Sequence, residues 1–334
     1  MSSPLRSIAV LGAGSWGTAL AIQLARSGRT VRLWGRDAAQ LTASGAAGEN
    51  TTYLPGCSFP ASLQVEPDLK AALAASDEVL VVVPSHALRE LLEAVRSTGE
   101  APARISWATK GLEPGTGKLA HEVAGDVLGD IPMAVLSGPT FAKEVGAGLP
   151  TAITVAGEQD LANFMADALH GERFRAYTSS DIVGVEVGGS AKNVIAIGAG
   201  LSDGLGFGAN ARVALITRGL AEIARLAQAK GADPQTLMGL AGMGDLVLTC
   251  TDNQSRNRRM GLALASGKSQ DDARKEIFQV VEGVSAAKEI SLLAERLGVE
   301  MPITRKIYEV LYENLSPKEA VTQLFERERK EESI

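Results

Sequence analysis

Apolar residues follow two rhythms along the chain, and the change from one to the other divides it. Up to about Val185, short apolar runs alternate with stretches of helical period. SIAVLG (7–12) predicts a first strand. WGTALAIQLARSG then repeats apolar residues at helical spacing and stops at Gly28, a glycine suited to end a helix. TVRLWGR predicts a second strand. DEVLVVVP (77–84) is a continuous apolar run, the pattern of a strand covered on both faces, and Ser85 behind it is placed to cap the helix HALRELLEAVRS. RISWAT, MAVLSG, TAITVAG and RFRAYTS predict further strands, with Lys110 ending the first of these. Strand-helix alternation of this kind argues for a mostly parallel α/β sheet.

From Val185 onward the helical period takes over. ARVALITRGLAEIARLAQAKGADP is an amphipathic helix stopped by Gly231 and Pro234, and VSAAKEISLLAERLG and ITRKIYEVLYEN resemble it. SPKEAVTQLF opens with a capping box, Ser316 and Glu319, and Pro317 at the first helical position. The tail ERERKEESI reads as solvated. The expected organisation is an α/β domain over 1–185 followed by an all-α domain over 186–334. Two domains also suit 334 residues, more than one core usually serves.

Composition removes several classes. A net charge of −6 is wrong for a general nucleic-acid binder. Two distant cysteines, Cys57 and Cys250, build no disulfide framework and fit a reducing cytoplasm. Three histidines and no CxxC spacing give a metal site little to build on. Ile8 to Leu24 follows Arg6 like a secretion signal, but a strand-turn-helix reading explains every residue of it. No other apolar run approaches the roughly 18 residues a membrane span needs.

The turn after the first strand is Gly12-Ala13-Gly14-Ser15-Trp16-Gly17, a GxGxxG between strand and helix. Gly12 allows the tight turn, Gly14 admits a pyrophosphate to the backbone, and Gly17 lets the helix pack on the sheet. The helix N-terminus then offers N–H groups to phosphate oxygens. A dinucleotide is the expected ligand. The acid that would accept from an NAD ribose falls near Trp34, and Arg36 follows it, able to pair a 2′-phosphate. NADP(H) is therefore favoured, with NAD(H) open through Asp37.

GGSAKNVIAIGAG (188–200) places Lys192 and Asn193 among glycines and aliphatics. If this helix is buried, the amine loses solvation, its pKa falls, and it can give and take a proton. The other reading is a lysine that snorkels to water or neutralises an acid such as Glu186. GMGDLVLTCTDNQSRNRRMG (242–261) holds Asp245, then Ser255, Arg256 and Asn257 before a helix. That is either an anion site or a helix cap on a basic face. Lys110 and the Gly138-Pro139-Thr140 turn follow strands, where ligands sit in open α/β sheets. Lys110, Gly138, Thr140, Lys192, Asp245 and Arg256 could thus converge on one small anionic substrate. His86 belongs most simply to a first helical turn. Nothing flanks Cys250 to make a reactive thiolate.

Read together, VLGAGSWGTALA, VVVPSHALR, SWATKGLE, VLSGPTFAKEV, VGGSAKNVIAIGAG, MGDLVLTC with SRNRRMG, and VVEGVSAAKE occur in one order over nearly the whole chain. The sequence resembles the bacterial NAD(P)-dependent sn-glycerol-3-phosphate dehydrogenase family. The resemblance implies a Rossmann-type domain followed by a helical domain like the C-terminal one of 6-phosphogluconate dehydrogenase. It implies reversible reduction of dihydroxyacetone phosphate to sn-glycerol 3-phosphate for phospholipid synthesis, with no metal, nucleic acid or membrane insertion. It gives Lys192 the role of general acid/base. Lys110, Gly138, Thr140, Asp245, Ser255, Arg256 and Asn257 would contact substrate. Ser15, Trp16, Arg36, Lys110, Ala142, Arg256, Val280 and Glu282 would contact the cofactor. Apolar helices of the second domain could bury a homodimer interface or only the seam between domains. The alternatives are a 6-phosphogluconate or ketopantoate type of reductase, which SGPTFAKEV and SRNRRMG argue against, and a redox-sensing binding protein without turnover.

Overall fold

The computed structural model describes residues 7–328 and 331. The chain forms two compact units. One takes the chain up to Thr109 together with Ala120–Ile182; the other takes Lys110–Leu119 together with the chain from Val183 onward. The first unit is built on one sheet: β1 (Ile8–Leu11), β2 (Val31–Trp34), β3 (Leu63–Val65), β4 (Glu78–Val81), β5 (Ile105–Trp107), β6 (Met133–Ser137), β7 (Thr151–Gly157) and β8 (Phe174–Ser179). Their order is β3-β2-β1-β4-β5-β6-β7-β8, and neighbours run parallel except the antiparallel pair β6 and β7. β1 and β4 are buried at every position, as strands covered on both faces must be. The helices are α1 (Ser15–Arg26), α2 (Ala38–Ala47), α3 (Leu69–Ala74), α4 (Leu88–Ser97), α5 (Ala120–Leu128), α6 (Ala142–Ala147) and α7 (Gln159–Leu169). Leu20, Ile22 and Leu24 of α1 are fully buried, each a burial of about 1.5–3 kcal/mol. The stretch that resembles a secretion signal is thus a central strand and its covering helix.

Strand order reverses at β1. β2 and β3 lie to one side and β4 to the other, so the carboxyl end of β1 opens at a topological switch point. One strand was not foreseen and one local expectation needs correction. β3 escaped the apolar pattern because Leu63-Gln64-Val65 is too short for alternation to register. Ser85 does not cap α4: a single 3-10 turn, Ser85–Ala87, comes between, so the serine sits too far ahead of the helix.

The second unit is helical: α8 (Ile182–Gly204), α9 (Gly208–Ala229), α10 (Asp245–Thr251), α11 (Arg256–Ala265), α12 (Gln270–Ile277), α13 (Glu282–Leu297), α14 (Pro302–Tyr312) and α15 (Pro317–Phe325). The capping box of α15 is formed as its sequence predicts. Arg327, in the tail, reaches Glu300 at 3.6 Å; residues 329–330 and 332–334 lie outside the described residues.

Every residue of α8 from Gly184 to Ser202 is buried. By length and composition α8 could cross a membrane, which corrects the expectation that no such segment exists beyond the N-terminus. Its burial on every face makes it a core helix instead. Its small residues let other backbones approach. A Cβ on Gly200 would lie 2.1 Å from the Arg258 carbonyl oxygen, and one on Gly261 would lie 2.0 Å from that of Ile197, so α8 and α11 meet backbone to backbone.

The segment Lys110–Leu119 corrects the simple division at 185. β5 ends at Trp107, and the chain that follows packs with the helices. Leu112 and Leu119 enter the helical unit's apolar core. The Gly115 N–H donates to Glu289 Oε1 at 3.1 Å, and Arg296 Nη1 donates to the Thr116 carbonyl at 3.2 Å. All of these partners lie more than 60 residues further along the chain, beyond the reach of local pattern.

Candidate active site

The sheet unit carries a glycine turn at the start of α1. Gly12 has φ +128°, and a Cβ there would lie 2.1 Å from the Val82 carbonyl oxygen just after β4, so only glycine makes this turn from β1 into α1. A Cβ on Gly17 would sit 1.8 Å from the Gly12 oxygen, so α1 can approach the strand only without one. At Gly14 a Cβ would meet nothing within 4 Å, which leaves the backbone open to a ligand at the start of α1. Trp16 Nε1 is buried and has no hydrogen-bond partner, the state of a donor that awaits one. These features fit a dinucleotide's phosphates. Ser15, beside them, donates its hydroxyl to the Tyr53 carbonyl at 2.7 Å.

Beyond β2, Trp34 donates its indole N–H to the Pro67 carbonyl at 3.2 Å. Asp37 is the N-cap of α2, accepting from the Gln40 N–H at 2.9 Å, and exposed Arg36 precedes it. Gly138 follows β6 with φ +156°, Thr140 Oγ1 donates back to the Gly138 carbonyl at 3.2 Å, and Ala142 opens α6. β1, β2 and β6 all run in one direction, so these residues share the carboxyl edge of the sheet.

The helical unit buries a charged cluster. Asp245, at the first position of α10, is 1% exposed and faces two lysines. Lys110 Nζ donates to Oδ2 at 2.7 Å, and Lys192 Nζ donates to Oδ1. Lys192 also donates to Thr249 Oγ1 at 3.1 Å, and Thr249 donates in turn to the Asp245 carbonyl at 2.6 Å. Lys192 therefore neither snorkels nor pairs with Glu186; its counter-ion is Asp245. Burial brings the Lys192 amine down to about 7, with Asp245 opposing and Lys110 adding to the fall. Burial alone would raise the Asp245 carboxyl, but Lys110 and then Lys192 hold it below its ordinary value. When both amines are protonated, the two cations against one carboxylate leave net positive charge, suited to stabilising a forming oxyanion.

Thr249 was missed from the sequence, although it stands four residues after Asp245 and so on the same helical face. Cys250 next to it is inert: burial pushes its thiol up to about 12.

Of the two readings of the SRN segment, the structure forms the helix cap. Ser255 is the N-cap of α11, accepting from the Arg258 N–H at 3.2 Å. Asn257 Nδ2 donates to Asn193 Oδ1 at 2.9 Å, and Asn257 Oδ1 accepts from the Gly283 N–H at 2.9 Å. Asn257 thus ties the start of α13 to the residue beside Lys192. Arg256 is different: its Nη1 donates to Gln279 Oε1 at a long 3.3 Å. Burial lowers its pKa, with the charge of Glu282 opposing, a guanidinium suited to an anion. Val280, in the same stretch as Gln279, is 44% exposed. Among the described residues, no group of three or more His, Cys, Asp or Glu is placed to hold a metal.

A cradle for a dinucleotide and a buried amine poised to move a proton are what a nicotinamide-dependent oxidoreductase needs. The sequence comparisons narrow that class. The family model described as NAD-dependent glycerol-3-phosphate dehydrogenase N-terminus matches residues 7–162, and that of the C-terminus matches 181–322. The glycerol-3-phosphate dehydrogenase (NAD(P)+) of Pseudoalteromonas translucida is 57% identical over 335 residues, covering 99% of this chain and 100% of that one. Its counterpart in Shewanella amazonensis is 59% identical over 98% of this chain and 97% of its own. The crystal structure of glycerol-3-phosphate dehydrogenase from Coxiella burnetii superposes with a TM-score of 0.93 at 48% identity, covering 97% of this chain and 99% of that one. The chain belongs to the NAD(P)-dependent glycerol-3-phosphate dehydrogenase family. A ketopantoate reductase from Ralstonia eutropha, at 18% identity and a TM-score of 0.54 over 94% of this chain and 99% of its own, shares the fold alone.

Proposed function

We propose that this protein reversibly reduces dihydroxyacetone phosphate to sn-glycerol 3-phosphate, the glycerol backbone of phospholipids. The observation that carries the reading is Lys192, buried against Asp245 and Thr249 with its amine brought down to about 7, in a chain of this family. When bound, the nicotinamide supplies the hydride. Lys192 Nζ gives its proton to the oxygen of the carbonyl under reduction and takes it back in the reverse direction. Asp245 holds Lys110 and Lys192 in register, and the surplus positive charge steadies the alkoxide before the proton arrives. Arg256 and the start of α11 bind the phosphate, whose binding energy fixes the reacting end.

Gly12, Gly14, Ser15, Trp16 and Gly17 would hold the cofactor's phosphates. Arg36 would pair a 2′-phosphate, because Asp37 is engaged in capping α2; the reading therefore prefers NADP(H) and admits NAD(H). It also assigns Gly138, Thr140, Ser255 and Asn257 to the substrate and Lys110, Ala142, Arg256, Val280 and Glu282 to the cofactor. The setting is the cytoplasm, without membrane insertion or nucleic acid. A homodimer belongs to the same proposal, supported by Phe207 and Val213, apolar and exposed around the start of α9; a solution mass of one chain would count against it.

The test is to mix the purified protein with dihydroxyacetone phosphate and follow loss of NADPH, then of NADH. Oxidation that requires the phosphate ester, faster with NADPH, is expected. No oxidation of either cofactor would overturn the reaction, and an NADH preference would overturn the role of Arg36.

A further inference from the structure

Arg258 has no part in the chemistry described so far, yet it is only 8% exposed, an unusual place for a guanidinium without a task. Its head reaches three separate pieces of the helical unit. Nε donates to Asn253 Oδ1 at 3.0 Å, in the turn between α10 and α11. Nη1 donates to the Cys250 carbonyl at 3.3 Å, near the end of α10, and to Asp203 Oδ2, near the end of α8. Asp203 is itself held by Arg212 Nη1 of α9 at 2.7 Å. The Arg258 backbone is fixed as well: its N–H meets the Ser255 cap, and its carbonyl oxygen lies against Gly200 of α8.

These contacts surround a short connection. α10 begins with Asp245, the partner of Lys192, and α11 begins with Arg256; between them lies the Asp252–Ser255 turn. A turn of this kind is the part of such a unit most free to shift. The planar fork of Arg258 spans it, bonding the end of the first helix, the turn itself and α8 at once. Lysine could not do this, because an ammonium offers one centre where the guanidinium offers several in a fixed plane.

We infer that Arg258 is a positioning residue: it sets the spacing between the amine end of the substrate site, Lys192 with Asp245, and the phosphate end, Ser255 to Asn257. This rests on the proposed reaction and on Arg256 as the phosphate ligand. Its consequence is selective. Loosening the turn weakens what the phosphate contributes and leaves proton transfer less affected, because the Lys192–Asp245–Thr249 bonds do not pass through Arg258.

The experiment compares Arg258→Lys with the unaltered full-length enzyme on dihydroxyacetone phosphate and on dihydroxyacetone, which lacks the phosphate. The ratio of the two kcat/KM values is expected to fall about 10-fold, mostly through a higher KM for the phosphate ester. The pH at which reduction declines should stay in place. Equal losses on both substrates, or a lower melting temperature with an unchanged ratio, would mean that Arg258 only supports the fold, and would overturn the inference. If Arg258→Lys does not fold, Asp203→Asn, which keeps the bonds to Asn253 and Cys250, should lower the same ratio by a smaller factor; an unchanged ratio there overturns the inference too. Arg256→Ala separates the two levels. If it leaves the ratio intact, the phosphate reading itself fails; if it collapses the ratio while Arg258→Lys does not, only the positioning role fails.

Discussion

Two of the carboxylates buried in the helical unit are treated oppositely. Asp245, at the start of α10, meets two ammonium groups, and its carboxyl is held below the ordinary range. Glu222, in α9 and 2% exposed, accepts its hydrogen bonds from neutral donors, the Ile303 N–H at 2.7 Å, the Thr304 N–H at 3.1 Å and the Thr304 hydroxyl at 3.0 Å, with the Arg225 charge a smaller pull. These belong to the first turn of α14, which has Pro302 at its start and no side-chain cap of its own. Glu222 therefore caps a remote helix, satisfying N–H groups that would otherwise be orphaned. Neutral donors offset less of the burial cost than cations do, and burial lifts the Glu222 carboxyl to about 7. One acid stays charged between two amines; the other fastens a helix and titrates near neutrality.

The comparison breaks first at Lys192. Lys192→Ala leaves Asp245 paired with Lys110 but removes the proton donor. Turnover should fall about a thousandfold while cofactor binding, followed by fluorescence titration, survives. Near-normal turnover would end the mechanism.

Asp245→Asn comes next, at about a hundredfold in kcat/KM, since buried Lys192 and part-buried Lys110 then lack their counter-charge. It also carries a signature in pH. The proposed mechanism needs protonated Lys192 for reduction, so the rate should decline as pH rises through about 7. Asp245 raises the lysine's pKa, so its loss should move that decline to lower pH. A limb that stays put would show that Lys192 does not govern it.

Glu222→Gln tests the other half. The folded-state value lies above the ordinary 4.5, so the folded protein binds this proton more tightly than the unfolded chain does. Stability from this group is therefore fullest below about 4.5 and is lost as pH rises to about 7, a total near 3 kcal/mol. Denaturant titrations at pH 5 and pH 8 should show the unaltered protein losing that increment relative to the variant, with kcat/KM the same in both. Parallel pH dependence would mean that Glu222 is ionised throughout.

The smallest effect belongs to Thr249→Val. It takes one acceptor from the Lys192 amine at a net cost of about 1 kcal/mol, or roughly fivefold in kcat. No change would leave Asp245 as the lysine's sole organiser.

Much of this was legible before any coordinates. The strands, the helix periods and the capping box at Ser316 follow local rules, and the sequence places them close to where they stand. The glycine turn was legible for a stronger reason: strand, turn and helix are contiguous, so Gly12, Gly14 and Gly17 announce their geometry together. Lys192 was legible as an anomaly, a charge in an apolar run. Its partner was not. The acid that spacing offered was Glu186, because a pairing 53 residues apart leaves no local trace.

The sequence by itself determined the alternation of strands and helices, the phosphate cradle and the presence of an amine with nowhere polar to go. All of these depend on residues within a turn or two of one another. The tertiary structure alone decided that Lys110 leaves the sheet unit for the helices, that Asp245 rather than Glu186 answers Lys192, and that Glu222 and Arg258 work on segments far along the chain. Those choices are set by which surfaces close-packing brings together. A buried charge takes its protonation state from neighbours that the fold supplies, and the order of residues along the chain does not specify them locally.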